Sequence, residues 1–174
     1  MGELAALGTS ILWSFTSMLF TFASRRVGPM IVNRIRLIFA VIFILLTHLI
    51  LRGELIPSGT NPERLFWLGT SGIVGLVIGD ACLFQAFVLV GTRLSMLLLA
   101  LAPIISTLFA WIFLGEVLDL MELIAILITV VGIVWVVQES HQQENQVSKK
   151  EFVTGILFGI GGAFGQALGL VTAK

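Results

Sequence analysis

Charge is what this chain has least of. Only 11% of its 174 residues are Asp, Glu, Lys or Arg, and the formal net charge is zero, whereas a soluble domain carries about 25% charged residues. That balance leaves no basic surface, so nucleic acid is not an expected partner. The one cysteine, Cys82, excludes a disulfide within the chain and any cysteine-based metal cluster. No GxxxxGK[ST] pattern is present to hold a nucleotide. Neither a cofactor nor a metal is therefore expected. The first apolar stretch also lacks a basic leader and a small-x-small cleavage site; it follows Glu3, closes on Arg25-Arg26, and reads as a retained helix instead of a signal peptide.

What is present is apolar. Hydrophobic residues make up 57% of the chain and mean hydropathy is +1.07, more than a soluble fold of this length could bury. The few charges gather at the ends of apolar segments, the pattern of a multi-pass membrane protein. Six segments can be drawn: about 4–24, 30–51, 65–90, 92–114, 120–137 and 152–173. The expected fold is all-α, a polytopic membrane helix bundle of about six transmembrane helices with the lipid bilayer as its first partner. Residues 52–64 (RGELIPSGTNPER) read as a loop. The polar run 138–151 (QESHQQENQVSKKE) is the best boundary in the chain.

The stretch from Gly79 to Glu116 organises the rest. Asp80 lies near the middle of a run from Phe66 to Val90 that holds no other charge, where an ionised side chain costs about 2.5–3.5 kcal/mol on insertion scales. Such a residue needs a partner, a proton or a water-filled cavity. Ile73, Val77, Asp80, Phe84 and Phe87 fall on one face at α-helical spacing, which would set aromatic rings beside the carboxylate. Gly75 and Gly79 form a GxxxG pair suited to close helix packing. After a turn around Gly91 to Arg93, Pro103 interrupts the fourth segment and predicts a kink, with Ser106 and Thr107 near the freed carbonyl. Glu116 reaches the aqueous boundary at the end of that segment, as a helix-start or gating charge with Asp119 and Glu122 beyond it.

Earlier in the chain, Ser10, Ser14, Ser17, Thr21 and Ser24 form a small polar stripe along the first helix. Two readings stay open: a packing face, or the wall of a cavity with Trp13 beside it. Arg34, near the start of the second helix, is placed to snorkel to the headgroups. Arg36 is deeper and is a candidate partner for an anion, and His48 reads as interfacial. Past the polar run, setting Lys174 over Arg25 puts Ile160 over Ile11, Phe164 over Phe15, Leu168 over Leu19 and Gln166 over Ser17. If the sixth segment restarts the first, the unit has five helices. An odd number inverts the next copy, as in many secondary transporters.

These residues resemble a known family. LAALGTSILWSFTSMLFTFASRR as first helix, Asn33-Arg34-Ile35-Arg36 opening the second, Gly79-Asp80 with Phe84-Gln85-Ala86 in the third, and APIISTLFAWIFLGE followed by Gly132-Ile133-Val134 are similar to the EamA-like branch of the drug/metabolite transporter superfamily. GGAFGQALGLVTAK resembles the opening of a second repeat. The resemblance implies residues 1–137 as a first five-helix repeat, 138–151 as linker and 152–174 as the first helix of a second. It also implies alternating-access transport of small organic metabolites or drugs through a central cavity, with the first, third, fourth and sixth helices contributing. Trp13, Ser17, Arg36, Asp80, Phe84 and Gln166 are the pathway candidates; Pro103 and Glu116 are the kink and gating candidates. A full member has about ten helices, so the chain is expected to be partial, or to pair with a second copy or a missing half. The expected location is the cytoplasmic membrane of a prokaryote. The positive-inside rule places the N-terminus outside, and the resemblance places it in the cytoplasm.

Two other functions compete. A membrane assembly protein would use the glycine faces only to join helices. An intramembrane aspartyl protease would need two carboxylates sharing one site; the sequence offers no second deep acid, and Val77 stands where that motif wants glycine.

Overall fold

The computed structural model describes residues 2–54, 61–143 and 148–173. The centres of the 52–64 loop and of the polar run lie outside them, as does Lys174, which anchored the alignment of the sixth segment with the first. The described residues form helices α1 (Gly2–Val27), α2 (Pro29–Arg52), α3 (Pro62–Gly72), a π-helical stretch (Ile73–Gly79), α4 (Asp80–Leu99), α5 (Leu101–Leu114), α6 (Leu120–Gln143) and α7 (Lys149–Thr172). No strand occurs among them.

Local chemistry sets the ends. Gly28 at φ 95° turns the chain between α1 and α2, a conformation open to glycine, and Pro29 then starts α2 where a missing N–H does no harm. Asn61 caps α3 by accepting from the Glu63 backbone N–H at 3.1 Å, with Pro62 behind it. At α6 the Leu120 N–H donates to the Asp119 carboxylate at 2.7 Å, and the Asp119 N–H donates to Glu122 at 3.1 Å. Asp119 and Glu122 are therefore helix-start charges.

Among the described residues, five helical runs are long and apolar enough to cross a membrane, and Leu101–Phe113 is a shorter apolar helix. One of the five, Pro62–Leu99, has 38 residues and would stretch about 57 Å at 1.5 Å per residue, nearly twice the hydrocarbon thickness of about 30 Å. Gly91, at φ 78° and ψ 167°, resolves this by reversing the chain. Along α7, Gly155 meets Val90, Gly162 meets Leu83, Gly165 meets Gly79 and Gly169 meets Gly75, so the length of chain before Gly91 runs antiparallel to α7. Leu98 lies against Gly159, between the levels of Val90 and Leu83, so the chain has doubled back. The turn expected around Gly91 to Arg93 is thus a single-residue reversal.

The second break falls at Ala100, between α4 and α5. Pro103 accounts for it: a proline cannot donate to the carbonyl four residues earlier, Leu99, and its ring crowds that carbonyl. Ser106 donates to the Pro103 carbonyl at 2.9 Å.

Phe20 packs on Phe84 at 5.1 Å between ring centroids and Thr21 bonds Thr92 at 2.7 Å, so α1 runs alongside the Pro62–Val90 crossing in the same sense. Since α7 runs against that crossing, α1 and α7 point in opposite directions. Helix α7 is deeply seated, with a buried face of Gly155, Gly159, Gly162, Ala163, Gly165, Ala167 and Gly169. Small residues let two backbones touch, which is how helices associate in lipid. The pair Gly75 and Gly79 meets the matching pair Gly169 and Gly165, and Ser71 donates to the Gly169 carbonyl at 2.6 Å.

One expectation about the third crossing is corrected. Ile73 and Val77 do not continue the face of Asp80, Phe84 and Phe87: they are 57% and 46% exposed, whereas the other three are buried. The cause is the π-helical stretch, which fits an extra residue into the helix and rotates the residues beyond it.

Candidate functional site

Asp80 is the first residue after the π stretch and is 1% exposed. It is not solitary. Arg36 Nη2 of α2 donates to its Oδ2, forming a salt bridge, and Gln166 Nε2 of α7 donates to its Oδ1 at 2.7 Å. The guanidinium is held in turn by Asn33, whose Oδ1 accepts from Arg36 Nη2 at 3.1 Å. It also lies over aromatic faces, 5.3 Å from the Phe84 ring centroid and 6.0 Å from Phe20, within the range of a cation–π contact. A charge removed from water needs a partner and satisfied lone pairs; here one cation and one amide supply both. Among the described residues, Arg36 Nε is buried without an acceptor.

Trp13, Ser17 and Phe20 of α1, Arg36 of α2, and Asp80 and Phe84 of α4 line one cavity, with Thr16, Leu83 and Phe87. The non-atom space there is about 240 Å³ including what opens to the outside, and the room for a water-sized sphere is about 10 Å³, about one water molecule. Its walls are largely aromatic: Phe84 stacks on Phe87 at 5.5 Å and packs at a tilt against Phe20 at 5.1 Å. This is a narrow, part-open pocket with an ion pair at its edge, since the lining Trp13 is itself exposed.

Most of the candidates named from sequence meet here. Trp13, Ser17, Arg36, Asp80 and Phe84 share the cavity, and Gln166 reaches the same carboxylate from α7. The polar stripe of α1 is split: Ser10 and Ser14 are exposed, while Ser17, Thr21 and Ser24 are buried. Arg34 is exposed and lines a separate groove with Met30, Asn33 and Gln85. His48 Nδ1 lies 2.6 Å from the Glu54 carbonyl. Pro103 and Glu116 stand away from the cavity; Glu116 lines another groove with Ser106, Thr107 and the end of α7. Asn33 is the site residue that sequence reasoning missed. Its signal was an amide in the first turns of an apolar helix, three residues before Arg36.

An all-helical, multi-crossing bundle closed around a mid-helix ion pair belongs to the class of integral multi-pass membrane proteins. The EamA-like transporter family model matches residues 1–138. The chain belongs to that family, within the drug/metabolite transporter superfamily. No curated protein and no solved structure matches it. The matched stretch ends where the polar run begins, so α7, which supplies Gln166 and the glycine face, lies beyond it.

Proposed function

We propose that this protein carries small organic metabolites or drugs by alternating access, in the cytoplasmic membrane of a prokaryotic cell, with Trp13, Ser17, Arg36, Asp80, Phe84 and Gln166 lining the route. Residues 1–137 form the first five-helix repeat, 138–151 link it to the second although their two ends continue α6 and begin α7, and 152–174 open that second, inverted repeat. The opposed directions of α1 and α7 support that division, because inversion requires them.

One observation carries the reading: residues from α1, α2 and α4 converge on a cavity whose edge is a buried ion pair. A membrane bundle keeps such a pair at a cost, and pathways are where intramembrane charges concentrate. Arg36 and Asp80 cancel, so the aromatic walls meet a site of no net charge. The unmatched Arg36 Nε–H is available to an oxygen of the solute. The narrow cavity has room for about one water, so admitting an organic solute requires parting α1 or α2 from α4. Aspartyl-protease chemistry finds no support: the partners of Asp80 are a cation and an amide, where that reaction needs a second carboxylate.

Asp80→Asn tests the reading. In proteoliposomes holding the protein in its full-length or self-paired form and loaded in turn with labelled phenylalanine, adenine and ethidium, the unmodified protein is expected to move at least one of them faster than empty vesicles. The variant is expected to lose about ten-fold or more of that flux at equal insertion, the scale of about one lost charge-assisted hydrogen bond. Equal flux at equal insertion would favour the assembly reading, for which the facing glycine pairs are the supporting observation.

A further inference from the structure

The polar group left over by the site is Asn33. It is 3% exposed, and it touches the ion pair and the helix that carries Asp80 at once. Its Nδ2 donates to the carbonyls of Leu76 and Val77, at 3.3 and 3.2 Å, inside the π-helical stretch. Its Oδ1 takes the same Arg36 Nη2 that bonds Asp80.

The ladder explains why those carbonyls need a donor. The Asp80 N–H bonds the Gly75 carbonyl, five residues back; in an α-helix it would bond Leu76. Where a π stretch returns to α spacing, one carbonyl is passed over, and in lipid a passed-over carbonyl must find a donor elsewhere. Asn33 is that donor. An α ladder through the same residues would satisfy itself and would need no Asn33.

We propose that Asn33 is the positioning residue of the site: it holds the third crossing in its π register, and that register is what turns Asp80 onto Arg36 and Gln166. The inference rests on the reading of Asp80 as part of the solute route. The geometry has a large lever. Dropping one residue from a helical turn rotates everything beyond it by about 100° and shifts it by about 1.5 Å. A return to α spacing would therefore swing Asp80 away from Arg36 and put it on the side that Ile73 and Val77 occupy now. The same amide would lose its carbonyl contacts while Arg36 lost its carboxylate, so the register and the ion pair hold or release together. Helix-register shifts of this kind are two-state elements.

The single cysteine is a native reporter of that rotation. Cys82 lies two residues past Asp80, half-buried against Gly161 of α7. Its rate of modification by N-ethylmaleimide should be measured on the full chain in detergent micelles, for the unmodified protein and for Asn33→Asp. That variant keeps an acceptor for Arg36 and loses both donors to the π carbonyls. The expected result is a change in the Cys82 rate of about five-fold or more, because thiol reactivity follows exposure, with helix content by circular dichroism unchanged. An unchanged rate overturns the inference. Asn33→Ser, whose hydroxyl can still donate to one carbonyl, is expected to fall between the two. Failure of both variants to insert also counts against it, since that marks Asn33 as a folding residue and not a positioning one. The readout is independent of transport: if Asp80→Asn leaves flux intact while Asn33→Asp alters Cys82, the register role stands without the solute route. If flux is lost in the first and Cys82 is unmoved in the second, the register role alone fails.

Discussion

Arg36→Leu, with Asp80 left in place, is expected to destabilise the protein by about 3–5 kcal/mol, the usual cost of removing one member of a buried ion pair. The carboxylate is 2% exposed and has two donors, one of them Arg36. Without the guanidinium it would keep a single amide hydrogen bond in an aromatic pocket, and Asn33 would lose the donor to its Oδ1. The double replacement Arg36→Leu with Asp80→Leu should recover most of that loss, since hydrophobic pairs of similar volume substitute for buried ion pairs at little cost or with a gain. It should not recover solute flux. Thermal unfolding in detergent, run beside the vesicle assay, separates the two effects. A single variant as stable as the unmodified chain would show that the pair is not desolvated as the structure places it.

Gly165→Ala is expected to have the next largest effect. A Cβ built there would lie 2.5 Å from the Gly79 Cα, 3.0 Å from the Gly79 nitrogen and 3.2 Å from the Val74 carbonyl oxygen. All three are backbone atoms, so no rotamer change can make room. Overpacking of this kind costs about 1–3 kcal/mol, and α7 must back away from the π stretch. Gln166 is the next residue, so its 2.7 Å bond to Asp80 should lengthen or break with the same movement. Gly132→Ala is the control: nothing lies within 4 Å of a Cβ at that position. There alanine should leave the unfolding midpoint unchanged or raise it slightly, by up to about 1 kcal/mol of helix propensity. Equal unfolding midpoints for the two variants would count against the glycine contact.

The membrane bundle was legible in the sequence because the bilayer acts on each helix separately. An apolar run of sufficient length with charges at its ends is a local property, so the crossings and the reversal near Gly91 could be read without knowing any neighbour. Pro103 was legible for the same reason, as a break follows from its missing N–H. The convergence at Asp80 was half legible. Its burial alone demanded a partner, and Arg36 was deep enough to serve, but the partners lie 44 and 86 residues away in the chain. Composition and spacing carry no information at that range.

The face of the third crossing was misread because the spacing argument assumed one helical period throughout. By that count Ile73 and Val77 belong with Asp80. The π stretch breaks the count, and its stabilisers come from elsewhere: Asn33 of α2 on the carbonyls, and the backbone of α7 against Gly75 and Gly79.

By itself, then, the amino-acid order determined that this chain crosses a membrane several times and that one carboxylate in the middle requires an answer. Only the tertiary structure decided what the answer is, a guanidinium and an amide from two other helices, and which way the carboxylate points. The physical reason is that helices in lipid form on their own backbone hydrogen bonds, one segment at a time. A π register and a buried ion pair exist only once neighbouring helices supply the donors they lack.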